Sequence, residues 1–204
     1  MHIPKLYREE DRNEIVEFLK QNEFATLVTC DGSKPIASHL LMEVIEEDGS
    51  LLINGHMSKA NPQWKTFAQN PEVLVIFQGP HAYISPTWYN HVNVPTWNYQ
   101  SVHVYGSPRI VTEQDEMRAM LSRLIARNEG DPSYRMETLP ADFVLKEMAG
   151  VVAFQVEATR IEANYKLSQN RDDESYWSVV SHLEERQDAM SHEVANAMKK
   201  NRTP

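Results

Sequence analysis

Two Asp-Gly pairs, Asp31-Gly32 and Asp48-Gly49, separate short apolar segments in the first quarter of the chain. An Asp-Gly pair between such segments is a strong signal for a tight β-hairpin turn, because glycine tolerates a positive φ. The two pairs therefore predict an antiparallel meander of three strands at 24–29, 35–46 and 51–54. Hairpins this short leave no room for a crossover helix, so a regular βαβ repeat is excluded.

Apolar periodicity predicts four more strands, at 73–77, 83–88, 101–111 and 151–161. It predicts helices at 9–22, at 58–69, from Thr112 onward, at 140–147 and from Asp172 onward. About seven strands interleaved with short helices favour an α+β fold that is mainly β, an antiparallel barrel with peripheral helices. We expect one domain over 1–171 and a C-terminal helical tail over 172–204.

Composition disfavours several classes of function and of binding site. Its net charge of −9 disfavours non-specific binding to DNA phosphates, so direct DNA contact requires a local basic face. The one cysteine, Cys30, excludes an internal disulfide and a cysteine-based zinc cluster, and it is predicted to be a buried core residue. The apolar runs are far shorter than the roughly 20 residues of a membrane helix, and no apolar signal segment is present. These features predict a cytoplasmic protein that does not contact a membrane.

The segment from Leu51 to Trp64 leads from a strand through Gly55 into a helix start at Asn61-Pro62. A helix start offers unpaired backbone N–H groups and a partial positive charge. His56, Ser58 and Lys59 stand beside it, and imidazole, hydroxyl and ammonium donors at such a place suit a phosphate group. A capped surface helix with a solvated lysine accounts for the same residues.

Aromatic side chains are dense between Gly79 and Gly106, with Tyr83, Trp88, Tyr89, Trp97, Tyr99 and Tyr105 in that stretch. Flat faces with polar N–H and O–H groups suit a planar ligand, and three prolines stiffen the path. A proline-braced loop packed on the barrel, or a dimer interface, is the alternative explanation.

A further candidate site is the segment Lys166–Arg171, which contains two cations and three polar side chains after the last long strand. A charged linker to the tail has the same composition. His81, His91 and His103 have no metal-ligand spacing, and no glycine-rich phosphate loop or nucleophile elbow occurs. No catalytic residue and no metal site are therefore predicted.

Several long blocks are shared with a known family. The most specific are Gln78-Gly79-Pro80-His81-Ala82-Tyr83-Ile84-Ser85-Pro86 and Pro95-Thr96-Trp97-Asn98-Tyr99, and further blocks are Phe24–Thr29, Ala60–Trp64 and Lys166–Arg171. With these blocks, which extend to about Arg171, the chain resembles the PaiB family of FMN-binding proteins, described as negative transcriptional regulators.

The resemblance implies a split β-barrel of the FMN-binding type, in which FMN lies at a homodimer interface. It implies that Ser58 and Lys59 hold the phosphate, and that the strand with Ser38, His39 and Leu40 runs beside the isoalloxazine ring. The predicted FMN contacts are Ser38, His39, Leu40, His56, Ser58, Lys59, Asn61, Trp97, Asn98, Lys166, Ser168 and Gln169.

The resemblance further implies a negative regulator of gene expression, for example of sporulation and degradative-enzyme genes, with a DNA or protein partner. Two alternatives stay open: a flavin-dependent oxidoreductase of the split-barrel type, and a haem-binding protein with His81, His91 or His103 as axial ligand. No acid or base with an assigned geometry is visible, and the sequence favours a protein that is not an enzyme.

Overall fold

A computed structural model describes residues 1–47 and 49–202 of the chain. Its strands are β1 Arg8–Glu9, β2 Phe24–Asp31, β3 Lys34–Glu47, β4 Ser50–Ser58, β5 Val73–Ile84, β6 Thr96–Ile110 and β7 Val151–Lys166. Its α-helices are α1 Arg12–Gln21, α2 Gln114–Asn128, α3 Ala141–Ala149, α4 Asp173–Glu184 and α5 Ala189–Asn201. Short 3-10 helices occupy Lys5–Tyr7, Pro62–Gln69, Pro86–Trp88 and Met136–Thr138.

The strands form one sheet in the order β1-β7-β4-β3-β2-β5-β6, and β7 also pairs with β6. This second pairing closes six strands into a ring, which leaves those strands no free edge. The predicted class, an α+β antiparallel split barrel with peripheral helices, is confirmed.

The predicted first hairpin is present, and its register runs from Phe24 opposite Leu41 to Asp31 opposite Lys34. Gly32 has φ +59°, a left-handed conformation that glycine adopts without steric cost. The second hairpin joins β3 to β4, with Gly49 at φ +82°, while Asp48 lies outside the described residues.

Contacts group the chain into two compact units. One contains Met1–Asn22, Phe77–His103 and the chain from Glu162 onward, and the other contains Glu23–Ile76 and Val104–Ile161. We call them the first and second unit. The predicted boundary after Arg171 stays a prediction.

The first unit has a core in which the tail helices take part. Tyr176 of α4 and Met198 of α5 are fully buried, and the Tyr176 hydroxyl donates to the Met198 carbonyl at 2.6 Å. The tail was predicted as one helix, but it forms two, α4 and α5. Asp188 begins α5 as an N-cap, with its carboxylate accepting from the Ser191 N–H at 2.8 Å.

Three other predictions about local structure are wrong. The helix predicted over 58–69 begins only at Pro62 and is a 3-10 helix, because Ser58 still pairs with Val151 as the last residue of β4. The strand predicted over 83–88 ends at Ile84, and Pro86–Trp88 is a 3-10 helix capped by Ser85. Cys30 is exposed, because strand alternation turns Thr29 into the core instead.

Candidate functional site

The strand β4 ends in a tight turn at Ser58–Asn61. The Asn61 N–H donates to the Ser58 carbonyl at 2.9 Å, which places Lys59 and Ala60 at the corner of the turn. The Lys59 N–H donates to the Gly150 carbonyl at 2.8 Å, so the backbone of the corner is fixed. Asn61 then caps the 3-10 helix, since its side-chain oxygen accepts from the Gln63 N–H at 3.0 Å.

Ser58, Lys59 and Asn61 belong to this turn and Ser38 is hydrogen-bonded to it, and we call these four residues with donor side chains the donor cluster. The Asn61 amide donates to the Ser38 hydroxyl oxygen at 2.9 Å, and the Ser58 hydroxyl oxygen accepts from the Ala60 N–H at 3.3 Å. Because both hydroxyl oxygens accept in these bonds, each hydroxyl keeps its own proton to donate. The Lys59 ammonium is exposed and makes no hydrogen bond or ion pair with the described residues.

The donor cluster is suited to the phosphate of FMN. It has two hydroxyl groups and one free ammonium, and none of its members is a carboxylate that would repel an anion. Ser58, Lys59 and Asn61 belong to one turn, and the Asn61–Ser38 hydrogen bond places the predicted contact Ser38 beside that turn. Their contact with FMN stays a prediction.

A buried glutamine that the sequence prediction missed holds the cluster in place. Gln63 is fully buried, and its amide nitrogen donates to the carbonyls of Leu27 and Ile36 at 3.1 and 3.2 Å and to the Thr29 hydroxyl at 3.3 Å. These bonds fasten the 3-10 helix, and with it Asn61, to the β2–β3 hairpin that carries Ser38. The one available signal was a polar residue directly after the helix-starting proline.

The three predicted contacts on β3 do not lie on one face of the strand. Ser38 pairs with Leu27 and Leu40 pairs with Ala25, so both share the face of those buried residues. His39 lies on the opposite face, where its ring centroid is 6.2 Å from that of Phe24. A planar ligand against one face therefore contacts either His39 or the pair Ser38 and Leu40, and the contacts themselves stay predictions.

His56 precedes Ser58 of the donor cluster by two residues on β4. It borders a small crevice with Met120, Leu121 and Leu124 of α2, and it makes no hydrogen bond with any described residue of the donor cluster. Burial lowers the pKa of His56, which favours the neutral imidazole at neutral pH. The contact between His56 and FMN stays a prediction.

The other predicted contacts belong to the first unit. Trp97 is half exposed and lies between two other rings, with centroid distances of 6.1 Å to both His81 and Tyr83. Trp97 and Tyr83 are both exposed, so this small aromatic surface is available to a planar ligand or a protein partner.

Asn98 and Ser168, in contrast, are buried and bonded to each other. The Asn98 amide donates to the Ser168 hydroxyl at 2.9 Å, and Ser168 has φ +62°, a conformation that is rare for a residue with a side chain. Gln169 closes the same turn, accepting from the Leu167 N–H at 2.8 Å and donating to the Tyr165 carbonyl at 2.5 Å. All three stabilise the turn, and their predicted contact with FMN remains untested.

Lys166 is half-buried at the end of β7 and donates to the Thr96 hydroxyl. Burial, together with the charge of Arg171, lowers the pKa of the Lys166 amine. Its predicted contact with FMN also remains a prediction.

Two kinds of feature are absent from the described residues. No group of three or more histidine, cysteine, aspartate or glutamate side chains is placed to hold a metal ion there. No helix within 1–47 and 49–202 combines the length and the hydropathy needed to cross a bilayer.

Comparison with solved structures defines the class of protein. The flavocytochrome Anf3 from Azotobacter vinelandii aligns with a TM-score of 0.65 at 14% identity, over 86% of this chain and 78% of that chain. The conserved hypothetical protein Rv2991 from Mycobacterium tuberculosis aligns with a TM-score of 0.60 at 16% identity, over 83% and 92%. At these identities the likeness establishes the split-barrel fold.

Sequence comparison gives the family. Residues 1–160 match the family described as "Putative FMN-binding domain". The chain is also 40% identical over 200 residues to "Protease synthase and sporulation protein PAI 2" of Bacillus subtilis (strain 168), covering 97% of this chain and 96% of that protein. The chain therefore belongs to the FMN-binding PaiB family, and its cofactor is FMN.

Proposed function

We propose that this protein is an FMN-binding negative regulator of gene expression, and that the donor cluster holds the FMN phosphate. The observation that carries the regulatory role is the 40% identity, extending over 97% of the chain, to a protein named for protease synthesis and sporulation. An alignment of this extent includes the tail helices as well as the barrel.

The phosphate assignment rests on the donors at the Ser58–Asn61 turn. A phosphate carries up to two negative charges, and hydrogen bonds to charged groups contribute about 1.5–3 kcal/mol each. Lys59 is the one cation of the cluster and has no competing carboxylate among its described contacts. When bound, FMN supplies a ring that accepts one or two electrons, and the chain's own side chains bind and orient it.

Electrostatics favour regulation through a protein partner rather than through direct DNA contact. The net charge is −9, and carboxylates neutralise several of the cations, including Arg109, Arg123, Arg127, Lys199 and Arg202. A protein that binds DNA needs unpaired lysines or arginines clustered on one face.

A homodimer is part of the proposal. Val92 is fully exposed, and Val94 and Trp97 expose 68% and 50% of their surface within the same short stretch of the first unit. Exposed apolar groups this close together mark an interaction surface, and a second copy of the chain is the occupant that the family resemblance implies. Light scattering of the full chain should give twice the chain mass, and Val94→Glu should give the monomer.

Transcript profiles test the regulatory role. Deletion of the gene should raise a defined set of transcripts, a wild-type copy should lower them again, and a Lys59→Ala copy should restore repression less well. A Lys65→Ala copy, which changes an exposed lysine outside the donor cluster, should behave as wild type. Unchanged transcripts on deletion, together with steady oxidation of a reduced nicotinamide by the FMN-loaded protein, would support the oxidoreductase instead.

A further inference from the structure

A concave site lies in the first unit, and its residues are distant in sequence from the donor cluster. It is an open cleft of about 700 Å³ between α1, α5 and the end of β7. Its walls carry the carboxylates of Glu9, Glu14, Glu17 and Glu193 and only one cation, Lys200. We call it the acidic cleft. Its volume lies within the usual range for a small-molecule site.

The charges of the acidic cleft do not cancel. The Lys200 ammonium pairs with Glu14 at 2.6 Å and with Glu17 at 3.0 Å, so one cation is shared by two carboxylates. Glu193 makes no ion pair or hydrogen bond with the described residues, and Glu9 accepts only backbone N–H groups. Acidic residues alone often form nothing more than a solvated surface.

Tyr165 distinguishes the acidic cleft from a solvated surface. It lines the acidic cleft with 5% of its surface exposed, and its hydroxyl has no hydrogen-bond partner among the described residues. Its ring packs on Phe18 at 5.4 Å between centroids. A buried hydroxyl without a partner costs free energy, and native proteins rarely leave one unless a ligand or another group completes it.

The environment of this hydroxyl is negative. Burial, with the charges of Glu9, Glu14 and Glu17, raises the pKa of Tyr165, so the phenol stays neutral at physiological pH. Its oxygen lone pairs are then free to accept a hydrogen bond, and the nearby carboxylates favour a donor that is positively charged.

We propose that the acidic cleft binds an organic cation with two amino groups, one of which donates to the Tyr165 hydroxyl oxygen while the carboxylates of α1 and α5 balance the charge. A metal ion is disfavoured, since the described carboxylates form no group of three placed for metal coordination. Pro80, Phe18 and Leu167 give the cleft an apolar side that suits the methylene chain of a diamine.

Titration calorimetry of the full chain tests the proposal, with 1,5-diaminopentane as the probe and 1,5-pentanediol as its uncharged match. The diamine should bind at one site per chain, and the diol should give no heat. Tyr165→Phe, which removes one oxygen atom, should weaken diamine binding about tenfold, the effect of a hydrogen bond to a charged group. Glu14→Gln should weaken it as well.

Glu185→Gln is the matched control, because it removes the same charge at an exposed position outside the cleft. It should leave the affinity unchanged. No heat with the wild-type chain at millimolar diamine, equal affinity in Tyr165→Phe, or an equal loss in Glu185→Gln would each overturn the assignment. Far-UV circular dichroism confirms that each variant is folded, and FMN titration of the same samples shows whether the proposed cofactor site is intact.

Discussion

The donor cluster and the acidic cleft each depend on one buried polar side chain, and the two side chains differ in their bonding. The Gln63 amide nitrogen makes three hydrogen bonds to the β2–β3 hairpin, although its amide oxygen has no partner among the described residues, whereas the Tyr165 hydroxyl makes no hydrogen bond there at all. A buried donor that has acceptors stabilises the fold, while a buried group with no partner costs free energy until one arrives. We infer that the Gln63 amide nitrogen belongs to the structural framework and that the Tyr165 hydroxyl is available to a ligand.

The largest effect is expected at Gln63. Gln63→Ala removes the donor to the carbonyls of Leu27 and Ile36 and opens a cavity, so the free energy of unfolding should fall by about 2–4 kcal/mol. Urea titration of the full chain measures it. Gln63→Met keeps the length of the side chain and removes its amide. It should therefore recover the part of the unfolding free energy that the cavity costs, and not the part that the lost hydrogen bonds cost. If Gln63→Ala lowers the free energy of unfolding by less than about 0.5 kcal/mol, the stability of the fold does not depend on these hydrogen bonds.

Lys59→Ala should produce the next largest effect. It should weaken FMN binding by about 1.5–3 kcal/mol, because it removes a charge-assisted contact to the phosphate and leaves the framework around Gln63 unchanged. Quenching of flavin fluorescence on titration gives the affinity. Lys65→Ala is the control for the loss of one positive charge in the same segment, and an equal loss in both variants would argue against a local contact.

Ser38→Ala should have a smaller effect. The hydroxyl contributes one neutral donor, and its loss should weaken FMN by about 0.5–1.5 kcal/mol. Ser33→Ala, at an exposed position in the turn of the same hairpin, serves as the comparison and should leave the affinity as it is. If Ser38→Ala binds FMN as tightly as the wild-type chain, Ser38 does not contact the phosphate, and only the turn at Ser58–Asn61 remains assigned to it.

The smallest effect is expected at Tyr165. In the absence of a ligand Tyr165→Phe should leave the free energy of unfolding unchanged or raise it slightly, because the lost hydroxyl had no partner. The same urea titration that reveals a loss in Gln63→Ala measures it. A loss of 1 kcal/mol or more, on the order of a hydrogen bond, would mean that this hydroxyl is bonded within the protein and would remove the contrast.

The sequence was informative where the contacts are local. The N-cap at Asn61 and the hairpin at Gly32 follow from residues a few positions apart, and both were predicted, although the helix was predicted to begin at Ser58. The type of helix after Asn61 was not, because a proline at the first position begins an α-helix and a 3-10 helix equally well.

Two other features lay outside the reach of local patterns. The acidic cleft joins Glu14 to Lys200, and no spacing rule relates residues so distant along the chain. The exposure of Cys30 was missed because the run Phe24–Thr29 is apolar on both faces of the strand, so its sequence does not reveal which residues turn inward.

The most direct test of the FMN phosphate site compares FMN with riboflavin, which lacks the phosphate, on the wild-type chain and on Lys59→Ala. If Lys59 holds the phosphate, the mutation should weaken FMN by roughly 10- to 100-fold and leave riboflavin affinity unchanged. An equal loss for both ligands, or no loss for either, would contradict the assignment of the donor cluster to the phosphate.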